Sequence, residues 1–253
     1  MSTAFRPCAI VPVYRHGKTL HAVCERLLSF GLPVLAVDDG NEEETAGDIR
    51  RVAEALPSVE VVRLETNRGK GGAVIAGFFR AEELGYTHAF QIDADGQHDL
   101  SPVPLFLEEG KARPETLVCG YPVYDETVPS ARKNGRKITN TWVAIETLSR
   151  DIADAMCGFR LYPLDSSCRL LRRCRIGQRM TFDIEILVRL HWAGTPVRFL
   201  AISVIYPEGG ISNFRMLHDN VAISAMHTRL FFGMLLRLPF LAFRALRRPG
   251  GRR

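Results

Sequence analysis

The sequence predicts an α/β protein with a mostly parallel central sheet flanked by helices. Three observations predict it. Short apolar runs alternate with longer amphipathic ones through the first hundred residues. Polar or turn-forming residues follow each apolar run directly. The composition is that of an ordinary globular domain, with 253 residues, 46% hydrophobic and 24% charged, and no internal repeat.

Residues 9–13, 34–37, 59–64 and 89–92 read as buried strands, because each is short and apolar without strict alternation. Between them, 19–30, 43–55 and 71–84 carry apolar residues at three- and four-residue spacing and read as helices. This alternation requires βαβ units with right-handed crossovers. Further on, 116–120 reads as a strand, 135–149 as a helix, 182–192 as an amphipathic helix ending at Gly194, and 197–205 as a strand. No linker interrupts the chain, so one domain is expected over 1–215, with a basic, helical tail over 216–253.

In such sheets ligands bind beyond the carboxyl ends of the strands. Pro12-Val13-Tyr14, Asp38-Asp39-Gly40, the run 67–72 and Asp93-Ala94-Asp95-Gly96 occupy those four ends. Asp93 and Asp95, with Gln97 beside them, offer two carboxylates and an amide oxygen, which suit magnesium or manganese. A strand-closing Asp-Gly turn is the structural alternative. Asp39 can accept from a base N–H or a ribose hydroxyl; equally, Asp38 and Asp39 can close a strand or help cap the next helix. Tyr14 can offer its ring to a nucleobase or be a plain edge aromatic. The run NRGKGG is neither a P-loop nor a dinucleotide fingerprint. Its glycines suit close backbone approach at a helix N-terminus, and Lys70 either reaches a phosphate or is solvated.

Charge is uneven. From Phe214 onward there are eight arginines and one acid, Asp219, so the positive excess of the chain lies in its tail. A basic tail suits an anionic membrane surface or nucleic acid, or is merely solvated. Residues 230–246 are apolar except for Arg237 and Arg244, and contain Pro239. That run is shorter than the roughly 20 residues of a spanning helix. It suits a helix lying in a membrane interface with its arginines toward anionic head groups; packing on the core or a homo-oligomer face are the alternatives. Six cysteines without a C-x-x-C pair argue against a zinc site or a disulfide framework. Residues 1–7 lack a signal-peptide pattern, so a cytoplasmic location is expected.

The order VPVYRHGKTL, VDDGN, NRGKGGAVIAG, QIDADGQHD, CGFRLYP and FDIEILVRLHWAG resembles glycosyltransferase family 2, over residues 8–215. Within it, the chain is most similar to the dolichyl- and polyprenyl-phosphate sugar synthase branch. The resemblance implies the Rossmann-like GT-A fold and transfer, with inversion, from a nucleotide-sugar donor to a lipid-linked or other membrane-associated acceptor. It implies that Pro12, Tyr14 and Asp39 contact the nucleoside, that Asp93, Asp95 and Gln97 bind metal and diphosphate, and that Arg136 meets donor phosphates. Ser212, Asn213 and Arg215 match a segment that closes over those phosphates. Asp183 falls at the family's catalytic acid, near a helix N-terminus that favours its ionised form, with Glu185 as second choice. A hydroxyl acceptor would need that base; a lipid phosphate would not. Two departures stand out: Arg15-His16-Gly17-Lys18 replaces an expected acid, and Tyr121-Pro122 replaces an expected arginine. The Q-x-x-R-W motif of processive relatives is absent, so polymer synthesis is not expected.

Two other classes compete. A nucleotidyltransferase would want a Gly- and basic-rich loop after the first strand, where VPVYRHGKTL offers a weak one. A nucleic-acid module would use the basic tail, but stacking aromatics are not interleaved with the basic residues, so no nucleic-acid partner is expected. A peripheral place on the cytoplasmic face of the membrane fits best.

Overall fold

The computed structural model describes residues 4–96, 98–123, 130–203 and 216–247. The chain runs β1 (Pro7–Val13), α1 (Gly17–Ser29), β2 (Val34–Asp39), α2 (Glu43–Ala55), β3 (Val59–Leu64), α3 (Lys70–Glu83) and β4 (His88–Gln91). It continues through α4 (Val103–Ala112), β5 (Leu117–Val123), α5 (Ser130–Thr147), β6 (Arg160–Pro163) and α6 (Leu164–Arg173). It closes with α7 (Phe182–Ala193), β7 (Val197–Ser203) and α8 (Met216–Arg247).

The seven strands form one sheet in the order β3-β2-β1-β4-β6-β5-β7. Every pairing is parallel except those of β6, which runs antiparallel to both β4 and β5. The mostly parallel sheet is as expected. After β3 the chain returns to the far side of β1, so the strand order reverses between β1 and β4, where the topology opens a crevice. Ile10 pairs with Gln91 and Val13 with Asp38, which brings three of the expected strand ends to one edge.

Alternation along β1 divides the core between the two faces of the sheet. Cys8 and Ile10 join Val37, Phe78, Tyr162 and Leu187 on one side. Ala9, Val11 and Val13 join Leu20, Leu27, Val103 and Phe106 on the other. Phe159 packs edge-on against Phe90 and Phe106 at 4.8 and 5.1 Å between centroids.

Three elements lack a clear sequence signal. β6 is four residues long and begins with a fully buried arginine, so it has no apolar run. α4 contains Pro104 and Gly110, which blur its helical pattern. α6 buries only Leu164, Ser167 and Cys168, leaving a mostly polar sequence.

The C-terminal helix corrects two expectations. It starts at Met216, as the expected helical tail does, but Leu217–Arg244, unlike the shorter run 230–246, is long and apolar enough to cross a membrane by length and composition. Arg237 and Arg244 also face the protein. Arg237 lies over the Trp192 ring at 4.9 Å, and Arg244 donates to the carbonyls of His191 and Trp192, 2.9 and 3.2 Å away, at the end of α7. Met226, Leu230, Met234 and Leu241 are buried on this inner face, and His227 meets Glu146 of α5 at 2.8 Å. The outer row of Leu217, Val221, Ala225, Phe232, Leu236 and Phe243 is exposed and carries no charge. A face packed on the core and an exposed apolar face therefore lie on opposite sides of one helix.

Candidate active site

The loops after β1 and β2 are tied together. Asn41 donates to the Val13 carbonyl at 2.8 Å and to Asp38 at 2.7 Å, and accepts from the Arg15 amide at 2.8 Å. Arg63 pairs with the other oxygen of Asp38. Beyond Pro12, the Tyr14 ring lies 4.9 Å from the Arg15 guanidinium.

Asp39 holds the third loop. Its carboxylate accepts from the Arg68 amide at 2.7 Å, the Gly69 amide at 2.9 Å and the Asn67 side chain at 2.9 Å. Burial pushes its pKa up, against the two amides, which favour the ionised form. Neither acid caps α2, whose N-cap is Glu42 without a side-chain cap bond.

At the centre lies Lys70, the first residue of α3. Its ammonium is 2.8 Å from Asp93 and 3.2 Å from Asp183, so residues far apart in sequence share one cation. Gln91, the last residue of β4, donates to the other oxygen of Asp183 at 2.8 Å. Burial opposes the charge on Lys70, but Asp183 and Asp93 outweigh it and raise its pKa. Burial likewise opposes the charge on Asp93, and Lys70 together with His98 outweighs it, holding the carboxyl below its usual range. His98 approaches Asp93 at 3.7 Å.

Two residues of the CGFRLYP segment shape this cluster. Gly158 leaves room for it, since a Cβ there would lie 2.5 Å from the Lys70 nitrogen and 2.9 Å from the Gln91 amide nitrogen. Arg160, fully buried, donates to the Asp183 carbonyl at 2.6 Å and the Ala155 carbonyl at 2.8 Å, fixing the start of α7. Arg136 pairs with Asp154, whose other oxygen accepts from the Met156 and Cys157 amides at 2.9 and 2.8 Å. Arg136 is thereby joined to the turn that leads into Gly158.

With this geometry in place, the family profile is decisive: that of glycosyl transferase family 2 matches residues 8–173. The chain belongs to glycosyltransferase family 2. It is 31% identical over 222 residues to undecaprenyl-phosphate mannosyltransferase of Micrococcus luteus, covering 82% of this chain and 86% of that protein. It is 27% identical over 221 residues to dolichyl-phosphate beta-glucosyltransferase of Dictyostelium discoideum, covering 81% of this chain and 66% of that one. The chain thus spans just under two-thirds of that longer relative. Among solved structures, glucosyl-3-phosphoglycerate synthase from Mycobacterium tuberculosis, in complex with Mn2+, UDP-glucose and phosphoglyceric acid, aligns with a TM-score of 0.67. That alignment has 13% identity and covers 91% of this chain and 79% of that one, a likeness of fold alone. The fold is GT-A.

For this family 2 glycosyltransferase, the fit of a divalent metal rests on the donor chemistry. No three His, Cys, Asp or Glu side chains converge into a metal cage among the described residues. Asp95, half-buried on the turn after β4, and the neighbouring Asp93 are hard oxygen donors. Two carboxylates fit magnesium or manganese, which take further ligands from phosphate and water, and do not fit a structural zinc site. Gln97, Ser212, Asn213 and Arg215 lie outside the described residues.

Glu185, the second candidate for the base, is enclosed by partners. It is 0% exposed. One oxygen accepts from Arg189 at 2.8 and 2.9 Å, and the other from the Gly177 amide at 2.9 Å and from Arg229 at 3.2 Å. Gln91, Gly158 and Arg160 belong to the site although sequence reasoning missed them. A buried arginine inside a short strand is the one signal that would have pointed to them.

Proposed function

We propose that this glycosyltransferase moves a hexose from a nucleotide sugar onto a polyprenyl phosphate, inverting the anomeric centre. The observation that carries the choice of acceptor is the state of Asp183. Gln91 and Lys70 engage both of its oxygens, so to serve as a base toward an acceptor hydroxyl it would first have to give up one of these contacts. A hydroxyl acceptor needs a base; a phosphate arrives already anionic. The mannosyltransferase and glucosyltransferase relatives, named for undecaprenyl and dolichyl phosphate, support the same reading.

In this mechanism Pro12, Tyr14 and Asp39 receive the nucleoside, and Asp93, Asp95 and Gln97 are the residues that would hold magnesium or manganese. When bound, the ion supplies neutralisation of charge on the leaving diphosphate. Lys70 adds a cation fixed in place by two carboxylates, and Arg136, Ser212, Asn213 and Arg215 supply further donors to phosphate oxygens. A phosphate oxygen of the acceptor forms a bond to the anomeric carbon as the bond to the diphosphate breaks. The electron pair of that bond leaves with the nucleoside diphosphate. Asp183 orients Lys70 and takes no proton.

The exposed row of α8, with Ile138, Trp142 and Ile145 exposed on neighbouring α5, supports attachment to the cytoplasmic face of a membrane, beside the lipid acceptor. The test is a panel of nucleotide sugars incubated with polyprenyl phosphate in detergent and magnesium or manganese. Release of nucleoside diphosphate that depends on the acceptor is expected. Release of inorganic pyrophosphate would favour a nucleotidyltransferase, and no release with any donor would sink the proposal.

A further inference from the structure

Glu185 and Arg229 lie outside the cluster that holds Lys70, yet they are joined to the donor side of the site by an unbroken chain of contacts. Glu185 sits in the first turn of α7 with no exposed surface. A carboxylate so placed persists only when its charge and lone pairs are satisfied. Arg189 occupies one oxygen from within the helix. The other is shared by the Gly177 amide and by Arg229 of α8.

The turn that starts at Gly177 reaches the donor loop. The carbonyl of Gln178, the next residue, accepts from the amide of Gly72 in the first turn of α3 at 3.0 Å. Gly69 meets the same turn so closely that a Cβ there would lie 2.7 Å from Cγ of Arg179 and 2.8 Å from the Gln178 carbonyl oxygen. Gly69 also has φ +83°, a left-handed conformation that favours glycine. The loop of residues 67–72 is thus pinned from two sides, by Asp39 beneath and by the 177–179 turn above. Glu185 holds that turn, and Arg229 holds Glu185.

We infer that Glu185 and Arg229 are positioning residues for the donor: through the 177–179 turn they set where the 67–72 loop, and with it Lys70, stands. The inference rests on the proposal that this loop meets a nucleotide-sugar diphosphate. Packed contacts of this kind have few alternative arrangements, so loosening one end displaces the other. Arg229 also makes α8 part of the donor site's support, although it belongs to a helix on the other side of Glu185.

Binding of uridine and guanosine diphosphates, with magnesium, to the full-length protein tests this by calorimetry. For whichever nucleotide the wild type binds, Arg229→Met should weaken binding about fivefold, within the usual range of coupling between sites. Glu185→Gln should do the same or more, and Arg229→Lys should recover most of the loss. The acceptor KM should not change. A role in stability alone would lower the melting temperature and leave the affinity intact. Arg229 is 57% exposed, so its variant should fold even where Glu185→Gln does not. Wild-type affinity in folded Arg229→Met overturns the inference and leaves the proposed function standing. A wild-type protein that binds neither nucleotide removes the donor site itself, and the inference with it.

Discussion

A methyl group built on Gly158 would lie 2.5 Å from the ammonium nitrogen of Lys70. The missing side chain at one residue is what lets that cation reach Asp93 and Asp183 together. The atoms in the way are the ends of two side chains, Lys70 and Gln91, so Gly158→Ala should fold with a melting temperature near that of the wild type. Its sugar transfer should fall about tenfold or more, because displacement of a catalytic group by roughly 1 Å can cost a hundredfold. Steady-state assays beside a thermal melt measure both. Unchanged turnover would mean that the position of Lys70 is not critical.

Lys70→Met removes the cation while leaving the burial of Asp93 intact. In the wild type, burial opposes the Asp93 charge and Lys70 with His98 more than offsets it, so the folded pKa lies below the ordinary value of 3.8. A depressed pKa contributes stability that is present above about pH 4 and lost as the pH falls through the folded value. Without Lys70 only His98 is left to oppose burial, and the Asp93 pKa rises relative to the wild type. Acid unfolding of Lys70→Met, followed by circular dichroism, should therefore begin at higher pH than in the wild type. Coincident curves would count against the ion pair.

Asp95→Asn tests the metal. A ligand at a hundredfold excess over its Kd stabilises a folded protein by about 2.7 kcal/mol. Donor with manganese should thus raise the wild-type melting temperature beyond donor alone. The variant should lose that metal-dependent increment and keep the rest. An undiminished increment would remove Asp95 from the metal site.

Membrane attachment is best tested by charge on the outer row of α8. Leu236 is 84% exposed and Phe232 60%, so Phe232→Glu with Leu236→Glu should hardly change stability, as is usual at surface positions. The pair should reduce flotation with anionic phospholipid vesicles several-fold. Truncation after Thr228 is a poorer test, because it also removes Leu230, Met234 and Leu241 from the core. Full retention of vesicle binding by the double variant would leave α8 as a packing helix only.

The order of residues is enough to specify the first four strands, the helices between them, and the edge of the sheet where polar residues gather. Those features are local: an apolar run of strand length, a three- or four-residue spacing, an Asp-Gly turn. The same order carries the motifs by which the family is recognised. Which charged groups meet is settled only in three dimensions. Nothing in the spacing of residues 70, 91, 93, 158 and 183 says that they share one cluster; the reversal of strand order at β1 and β4 and the bare backbone of Gly158 bring them together. The same holds for Glu185, whose enclosure by Gly177 and Arg229 no local spacing foretells, and for α8. Composition marks α8 as amphipathic, but its inner face is chosen by partners elsewhere in the chain, Glu146 for His227 and the end of α7 for Arg244. Periodicity is a property of neighbours in sequence, whereas the pairing of buried charges depends on close approach between segments that sequence spacing does not relate.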